Sequence, residues 1–168
     1  MADATAVEAL MKASASVLFP LFYDEQQAAS AVEFVARADP LLLGDGTYFV
    51  LEREGEMVAC GGWSRRDKLY TGSGDAAGDA RLLDPRTEPA RVRAMFVRSD
   101  WTRRGLGRAI LEACERAARS EGFTTLSLMA TLPGEPLYRA LGFTVVEPKS
   151  AELPDGELLP LVRMARTL

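Results

Sequence analysis

The chain has 168 residues, of which 48% are hydrophobic and 26% charged, and its formal net charge is −4. That length and balance are ordinary for one globular domain, so we expect residues 1–168 to form a single domain. The acidic balance argues against a nucleic-acid partner, and the absence of histidine excludes Ser-His and Cys-His nucleophile pairs and histidine-ligated metals, so no metal is expected.

The first 38 residues carry two helical patterns. Apolar residues recur at helical spacing in Asp3–Ala15 and again in Asp24–Ala38, where Asp24 is a residue type that caps helices. The apolar stretch Ala13–Phe22 is short and is interrupted by Pro20. Because no stretch approaches the roughly 18 apolar residues of a membrane span, we expect neither a membrane partner nor a signal peptide.

A β-hairpin is predicted next. Thr47–Arg53 and Met57–Trp63 are strand-like, and the turn Glu54-Gly55-Glu56 lies between them. The segment Arg65–Pro89 is rich in Gly, Asp and Arg without a clear period. We interpret it as a long surface loop that could contain a short strand.

The second half alternates strands and helices. Gly105–Glu121 is amphipathic and is followed by Gly122, a residue type that ends helices. The other predicted elements are four strands and one short helix: Arg91–Val97, Thr124–Ala130, Glu135–Leu141 (the helix), Phe143–Val146 and Leu158–Ala165. Cys60 and Cys114 lack metal-type spacing, and we expect buried, reduced thiols in a cytoplasmic protein.

The stretch Val92–Ala109 predicts an anion site. It reads as an apolar strand, a turn, a basic glycine-rich loop and a helix. Amides at a helix start have no partner within the helix, and the helix dipole adds positive charge there. Glycines at 105 and 107 would let an anion approach the backbone closely, and four arginines add charge: Arg98, Arg103, Arg104 and Arg108. The stretch contains neither the Walker loop nor the dinucleotide fingerprint.

This loop resembles the acetyl-CoA loop of the GNAT acetyltransferases, Gln/Arg-x-x-Gly-x-Gly/Ala. It fits in two registers, one with Gly105 and Gly107 as the small positions behind Thr102, the other with Gly107 and Ala109 behind Arg104. We prefer the first, because the helix should begin directly after the loop.

A second segment is similar to the same family, which has a tyrosine on a short helix followed by Gly-Phe and a strand. Tyr138-Arg-Ala-Leu-Gly142-Phe143 has that order. The resemblance extends over Thr47–Leu168 and implies an α/β (α+β) fold, a single domain with a mixed, mostly antiparallel twisted sheet flanked by helices. The family usually opens with a strand, whereas this sequence begins almost directly in a helix, so the sheet is expected to lack one edge strand.

The resemblance also implies the activity, an acetyl-CoA-dependent transfer of an acetyl group to a primary amine. The implied acetyl-CoA site consists of the end of a strand, the loop and the start of a helix, together with Thr131, where many relatives have Asn. Its residues are Phe96, Val97, Arg103, Arg104, Gly105, Leu106, Gly107, Arg108 and Thr131. In the family this strand splays from the next one, and a backbone amide near Phe96 or Val97 is the candidate to polarise the thioester. Tyr138 matches the family's general acid.

The resemblance leaves the general base, the acceptor and the oligomeric state open. Arginines occupy the strand where some relatives carry a carboxylate base, so Glu52, Asp67 and Glu88, acting through water, or a water chain to bulk solvent, are the candidates for proton removal. The acceptor is expected to be a small-molecule or peptide amine. The alternative function is a non-catalytic acyl-CoA-binding sensor or regulatory module. A homodimer is expected from the uncovered sheet edge, with Leu158–Val162 as part of the contact.

Overall fold

Six strands form one sheet in the computed structural model, which describes residues 4–68 and 81–168. The strands are β1 (Tyr48–Arg53), β2 (Glu56–Ser64), β3 (Ala90–Val97), β4 (Thr125–Thr131), β5 (Thr144–Glu152) and β6 (Leu158–Thr167). Their order across the sheet is β1-β2-β3-β4-β6-β5. Only β3 and β4 pair in parallel; the other neighbours are antiparallel. The predicted mixed, mostly antiparallel sheet is confirmed.

Helices cover both faces of this sheet. They are α1 (Ala4–Leu18), α2 (Glu25–Phe34), α3 (Pro40–Gly44), α4 (Leu106–Ser120) and α5 (Glu135–Ala140), with short 3-10 turns at Phe19–Leu21 and Ser99–Trp101. Buried residues of α1 and α2 form one apolar cluster on the first face. Those of α4 and α5 form a second cluster on the other face. The sheet is therefore the middle layer of three.

The N-terminal helix runs further than the sequence pattern predicts. The helical stretch Ala4–Leu21 is long and apolar enough, by length and composition alone, to be a candidate membrane span, contrary to the expectation that no stretch reaches that length. Core helices of soluble proteins and signal sequences meet the same criterion. Here Val7, Met11 and Ala15 are buried against the sheet, so one side of the helix packs within the domain.

The segment between α1 and β1 contains one confirmed cap and one missed helix. Asp24 accepts a hydrogen bond from the Gln27 amide at 2.8 Å and caps α2, as predicted. The helix ends at Phe34, four residues earlier than expected, and α3 follows. Its signals are Asp39 as the cap and Pro40 in the first turn, which are typical of a helix start.

The predicted hairpin is present as β1 and β2. Glu54 and Gly55 both have positive φ, 56° and 79°, as a two-residue hairpin turn of the primed type requires.

The predicted loop Arg65–Pro89 lies partly outside the described residues, since 69–80 are not among them. In the described part, Arg66 and Leu82 form an isolated antiparallel bridge.

The last hairpin is longer than predicted. The strand expected at Phe143–Val146 extends over Thr144–Glu152, and most of its residues are exposed. An exposed strand gives little hydrophobic alternation, and Pro148 counts against a strand in a sequence pattern. As an edge strand, however, β5 needs hydrogen bonds on one side only, so proline is accommodated there.

Candidate functional site

A cleft opens in the sheet between β3 and β4. The two strands pair only at their beginnings, Ala90 with Leu126 and Arg91 with Ser127. Beyond these pairs β3 continues along β2, and β4 continues along β6 up to Thr131. The C-terminal halves of β3 and β4 therefore lie apart, and we call the gap between them the cleft. Strands that part in this way leave unpaired backbone groups along both sides of the gap.

A β-bulge in β3 shapes one side of the cleft. Ala94 and Met95 together stand opposite Gly61, where the register of β2 and β3 shifts by one residue. Ala94 has a φ of 52°, a left-handed conformation that is uncommon for a residue with a Cβ. The hydroxyl of Tyr48 donates a hydrogen bond to the carbonyl of Ala94 at 2.9 Å.

After the bulge, the amide of Val97 faces the cleft. The amide of Arg98 donates to the carbonyl of Val58 in β2 at 2.9 Å. Along an antiparallel strand the amides alternate in direction, so Phe96 also faces β2 and Val97 faces away from it. The carbonyl of Val97 lies on the same side and accepts a hydrogen bond from Ser14 of α1 at 2.7 Å.

A row of free amides borders the cleft at the start of α4. Within the part of the chain that the structure describes, the six backbone amides from Arg103 to Arg108 donate to no protein acceptor; the first bond of the helix is from Ala109 to Gly105. Arg103 and Gly105 both have positive φ, 64° and 77°, which turns the chain sharply before the helix. Free amides at a helix start are groups that can bind an anion.

The two glycines of this loop are required for different reasons. At Gly105 a Cβ would meet no atom within 4 Å, so space does not restrict the residue type. Glycine is favoured there because the backbone is left-handed. At Gly107 a Cβ would lie 2.9 Å from Cδ2 of Leu137. Gly107 therefore leaves room beside α4 for the Leu137 side chain of α5.

The arginines around the loop are not equivalent. Arg98 is ion-paired with Asp100 at 2.6 Å and with Glu56, so its charge is largely compensated. Arg104 lies over the ring of Trp101, with 4.5 Å between the guanidinium carbon and the ring centre. No ion pair is found for the exposed Arg103, Arg104 and Arg108 among the described residues. These three leave positive charge available beside the free amides.

Tyr138 is buried on α5, on the α4 side of the sheet. Its ring packs edge-to-face on Phe143, with 5.7 Å between the centres, and 8% of the residue is exposed. Burial raises the pKa of Tyr138 above its usual range, and the thiol of Cys114 adds to the effect. The phenol is thus protonated at neutral pH, and its hydroxyl makes no hydrogen bond within the described residues.

Thr131 lies next to Tyr138 where β4 ends. Atoms of both side chains stand close to the point that a Cβ at Gly134 would occupy, Cε2 of Tyr138 at 3.3 Å and Oγ1 of Thr131 at 3.4 Å. The absence of a side chain at Gly134 therefore leaves room for both the tyrosine ring and the threonine hydroxyl at the end of β4.

The three carboxylates predicted as candidate bases lie at two different places in the fold. Asp67 is ion-paired with Arg81 and Arg91, and Glu88 is ion-paired with Arg81. These hydrogen bonds lower the pKa of both carboxyls, and the group lies at the start of β3, away from Val97. Glu52 is exposed near the other end of the sheet, opposite Met57 on the edge hairpin.

Sequence reasoning missed two tyrosines that shape the cleft. The hydroxyl of Tyr23 accepts a hydrogen bond from the amide of Leu132 at 2.9 Å and donates one to the carbonyl of Pro160 at 2.8 Å. Tyr48 holds the bulge at Ala94, as described above. No motif signals these contacts, because each joins residues far apart in the chain.

In the described part of the chain, no group of three or more Cys, Asp and Glu residues is arranged to hold a metal ion. The thiols of Cys60 and Cys114 are free and buried, as predicted. Burial raises the pKa of the Cys60 thiol to about 11 and that of Cys114 to about 12.

Comparison with protein families gives one match, an acetyltransferase (GNAT) domain that covers residues 44–145. No curated protein sequence matches the chain.

Several solved structures are similar. A GCN5-related N-acetyltransferase from Rhodopseudomonas palustris is 19% identical with a TM-score of 0.74, over 99% of this chain and 90% of the other. PaiA N-acetyltransferase from Thermoplasma acidophilum, solved with coenzyme A, is 11% identical with a TM-score of 0.66, over 99% and 93%. The protein yncA from Salmonella typhimurium, solved with acetyl-CoA, is 18% identical with a TM-score of 0.60, over 99% and 89%. At these identities the likeness concerns the fold.

Proposed function

The chain belongs to the GNAT acetyltransferase family and is an acyltransferase, and from that premise we propose that it transfers the acetyl group of acetyl-CoA directly to a primary amine. The observation that carries the proposal is the row of six free amides, Arg103 to Arg108, beside a cleft between two parting strands. An anion site and an open strand side by side fit a ligand with a diphosphate at one end and an extended amide-containing arm at the other.

The diphosphate of acetyl-CoA is proposed to lie on these amides. Leu106 and Gly107 begin α4, so their amides add the positive end of the helix dipole. Arg103, Arg104 and Arg108 supply full charges, and Trp101 supports Arg104. The fold similarity to PaiA, solved with coenzyme A, and to yncA, solved with acetyl-CoA, supports the same ligand here.

The pantetheine arm is proposed to enter the cleft and pair with β3 as an added strand. Thr131 offers one hydroxyl to this arm from β4. The thioester carbonyl then lies near Val97, whose amide faces the cleft, whereas Phe96 faces β2. An amide aimed at the carbonyl oxygen stabilises the charge that develops there during attack.

The chemistry needs one attack and two proton movements. The neutral amine nitrogen attacks the thioester carbon, the carbon–sulfur bond breaks, and the electron pair leaves with the sulfur of CoA. Tyr138 donates its phenolic proton to that sulfur, a suitable role for a phenol that burial keeps protonated. The extra proton on the attacking nitrogen leaves to solvent, and solvent returns a proton to the Tyr138 phenolate, so the products are an amide and CoA thiol and the enzyme is restored.

Proton removal from the amine is proposed to run through water. Asp67 and Glu88 are held in ion pairs at the start of β3, which leaves Glu52 as the remaining carboxylate of the three. The acceptor is proposed to be a small-molecule or peptide amine.

The proposal extends to the whole chain. Residues 1–168 are proposed to form one domain, because β6 at the end of the chain lies between β4 and β5 and α1 packs on the same sheet. A cytoplasmic location is proposed from the two free, buried thiols.

Two measurements test the function. Isothermal titration with acetyl-CoA, CoA and ATP should show binding of the first two and much weaker binding of ATP, which lacks the pantetheine arm. A panel of small amines and peptides should then release thiol from acetyl-CoA in an enzyme-dependent way. Binding of acetyl-CoA without thiol release by any amine would favour a non-catalytic acyl-CoA sensor, and no binding would reject the proposal.

A further inference from the structure

The bulge in β3 decides which amide of this strand faces the cleft. Before the bulge, the amide of Trp63 donates to the carbonyl of Thr47 on the β1 side at 3.1 Å, so its neighbour Gly62 faces β3, where it pairs with Arg93. By alternation, odd-numbered residues of β3 face β2 before the bulge. After it, the even-numbered Phe96 and Arg98 face β2.

The extra residue therefore reverses the direction of the amides that follow. In a regular β3, Val97 would hydrogen-bond to β2 and its amide would be unavailable to a ligand. With the bulge at Ala94, the amide of Val97 is turned into the cleft. The left-handed conformation of Ala94, with its φ of 52°, is the local event on which this depends.

Such a conformation persists in a residue with a Cβ only where neighbouring groups hold it. The hydroxyl of Tyr48 donates to the carbonyl of Ala94 at 2.9 Å. Gly62 makes room for the tyrosine, since a Cβ there would lie 2.7 Å from Cδ2 of Tyr48. Gly61 makes room for the bulge itself, since its Cβ would lie 2.6 Å from Cγ of Met95.

From this arrangement we infer that Tyr48 is a positioning residue for acetyl transfer: its hydroxyl holds Ala94 in the left-handed conformation that aims the Val97 amide at the thioester. The inference rests on the proposed function, because it assigns Tyr48 to the same cleft. Tyr48 lies on β1, two strands from the cleft, and it acts on the reaction only through the backbone of β3.

The test is a double-mutant cycle between Tyr48 and Ala94. Tyr48→Phe keeps the ring and removes the donor, so the bulge should relax and kcat should fall by about tenfold, on the order of 1.4 kcal/mol. Glycine adopts positive φ without the steric cost of a Cβ. In an Ala94→Gly background the same Tyr48→Phe change should therefore lower kcat by less than about threefold, with a similar KM for acetyl-CoA in both backgrounds.

Tyr23→Phe is the matched control, because the Tyr23 hydroxyl also bonds backbone groups, but those of Leu132 and Pro160 and not of β3. Its effect on kcat should be the same with Ala or Gly at position 94. A loss of kcat in Tyr48→Phe that is equally large in both backgrounds would assign Tyr48 a general structural role and overturn the inference. Wild-type kcat in Tyr48→Phe would overturn it as well.

Two further measurements cover the remaining outcomes. If Tyr48→Phe does not fold, Ala94→Val makes positive φ costlier with Tyr48 intact; a folded variant with wild-type kcat would contradict the inference, and a loss of kcat with retained acetyl-CoA affinity would support it. Backbone NMR shifts of residue 94, recorded without ligand, report the left-handed conformation independently of turnover. They should change in Tyr48→Phe but not in Tyr23→Phe, even if no acceptor is found.

Discussion

At the scale of single residues, Tyr138 combines two properties that a general acid needs. Its ring packs edge-to-face on Phe143, and the absence of a side chain at Gly134 leaves room for it. Burial, together with the Cys114 thiol, keeps its proton on at neutral pH by raising its pKa. The residue is thus placed and protonated before any ligand binds.

Tyr138→Phe should lower kcat by roughly 100-fold or more, because the ring remains and only the proton donor is lost. Isothermal titration should give nearly the same affinity for acetyl-CoA, since the diphosphate site proposed on α4 is untouched. A variant with wild-type kcat would show that water protonates the sulfur and that Tyr138 is a packing residue.

The same role has a signature in the pH profile of the wild-type enzyme. Activity should rise with pH as the acceptor amine loses its proton. Because the pKa of Tyr138 lies above that of free tyrosine, about 10, no decline should appear below about pH 10. A decline centred near neutral pH would point to a different acid.

At the scale of elements, the start of α4, the proposed diphosphate site, lies against the helix that carries Tyr138. Gly105 turns the chain into the helix with a φ of 77°, and Gly107 lies against Leu137, the residue before Tyr138 on α5. The loop with the free amides therefore also leaves room for the side chain of Leu137, next to Tyr138 on α5.

Replacing Gly105 or Gly107 is predicted to have different effects. Gly105→Val should weaken CoA binding by about tenfold or more, on the order of 1.4 kcal/mol, because valine disfavours positive φ. Gly107→Val should lower affinity and also kcat, since its side chain would displace Leu137, the neighbour of Tyr138 on α5. Titration of CoA and steady-state kinetics measure both effects.

Gly46→Val provides the control for strain alone. Gly46 also has a positive φ, 69°, in open space, but it lies between α3 and β1. Its replacement should cost stability and leave CoA affinity unchanged. Unchanged affinity in both loop variants, with the proteins folded, would place the diphosphate elsewhere.

At the scale of the whole molecule, a buried ion pair ties the helical layer to the sheet. Asp39 before α3 and Arg93 on β3 are each 3% exposed and 2.8 Å apart, with Lys68 at 3.6 Å from the same carboxylate. Burial alone would raise the pKa of Asp39, but the charge and hydrogen bond of Arg93, and then the charge of Lys68, outweigh it and lower the pKa.

Asp39→Asn should destabilise the fold by about 3–5 kcal/mol at neutral pH, because it leaves buried positive charge uncompensated. A carboxyl whose pKa is lowered on folding contributes stability above its unfolded pKa of about 3.9 and loses that contribution as the pH falls. The difference in free energy of unfolding between wild type and variant should therefore become smaller below about pH 4. Urea unfolding at several pH values measures it, and Asp84→Asn, at an exposed pair with Arg86, should change stability far less.

The chain is further predicted to form a homodimer through a sheet edge. Edge strands present unpaired backbone groups, and β1 has a neighbour on one side only. The expected contribution of Leu158–Val162 is wrong in its main part, because Leu159 and Leu161 are buried within the domain and only Leu158 is exposed, at 55%. Light scattering should give twice the 18.3 kDa of one chain.

Val50→Pro tests that interface. By the alternation of β1 and β2, the amide of Val50 points away from β2, so proline removes a donor that only a second copy would use. A monomeric mass for the variant and a dimeric one for the wild type would support the edge as the contact. A wild-type mass near 18 kDa, unchanged by acetyl-CoA, would exclude the dimer.

Local sequence signals were sufficient for most elements and for the turn from β3 through Arg103–Arg108 into α4. The period of apolar residues in α4, the cap at Asp24 and the turn at Glu54-Gly55 all appear in the structure near the predicted bounds. They are predictable because each depends on residues a few positions apart, where backbone preference and capping act directly. The loop Arg103–Arg108 is predictable for the same reason, since its glycines, arginines and helix start are contiguous.

Tertiary structure alone decided which groups meet at the cleft. The hydrogen bonds from Tyr48 to Ala94 and from Ser14 to Val97 join residues 46 and 83 positions apart, and the bulge that turns the Val97 amide has no pattern in β3 itself. Asp67 and Glu88 were plausible bases by composition, yet ion pairs with Arg81 and Arg91 hold them at the far end of the strand. Contacts of this kind depend on how elements pack and register, which no local preference determines.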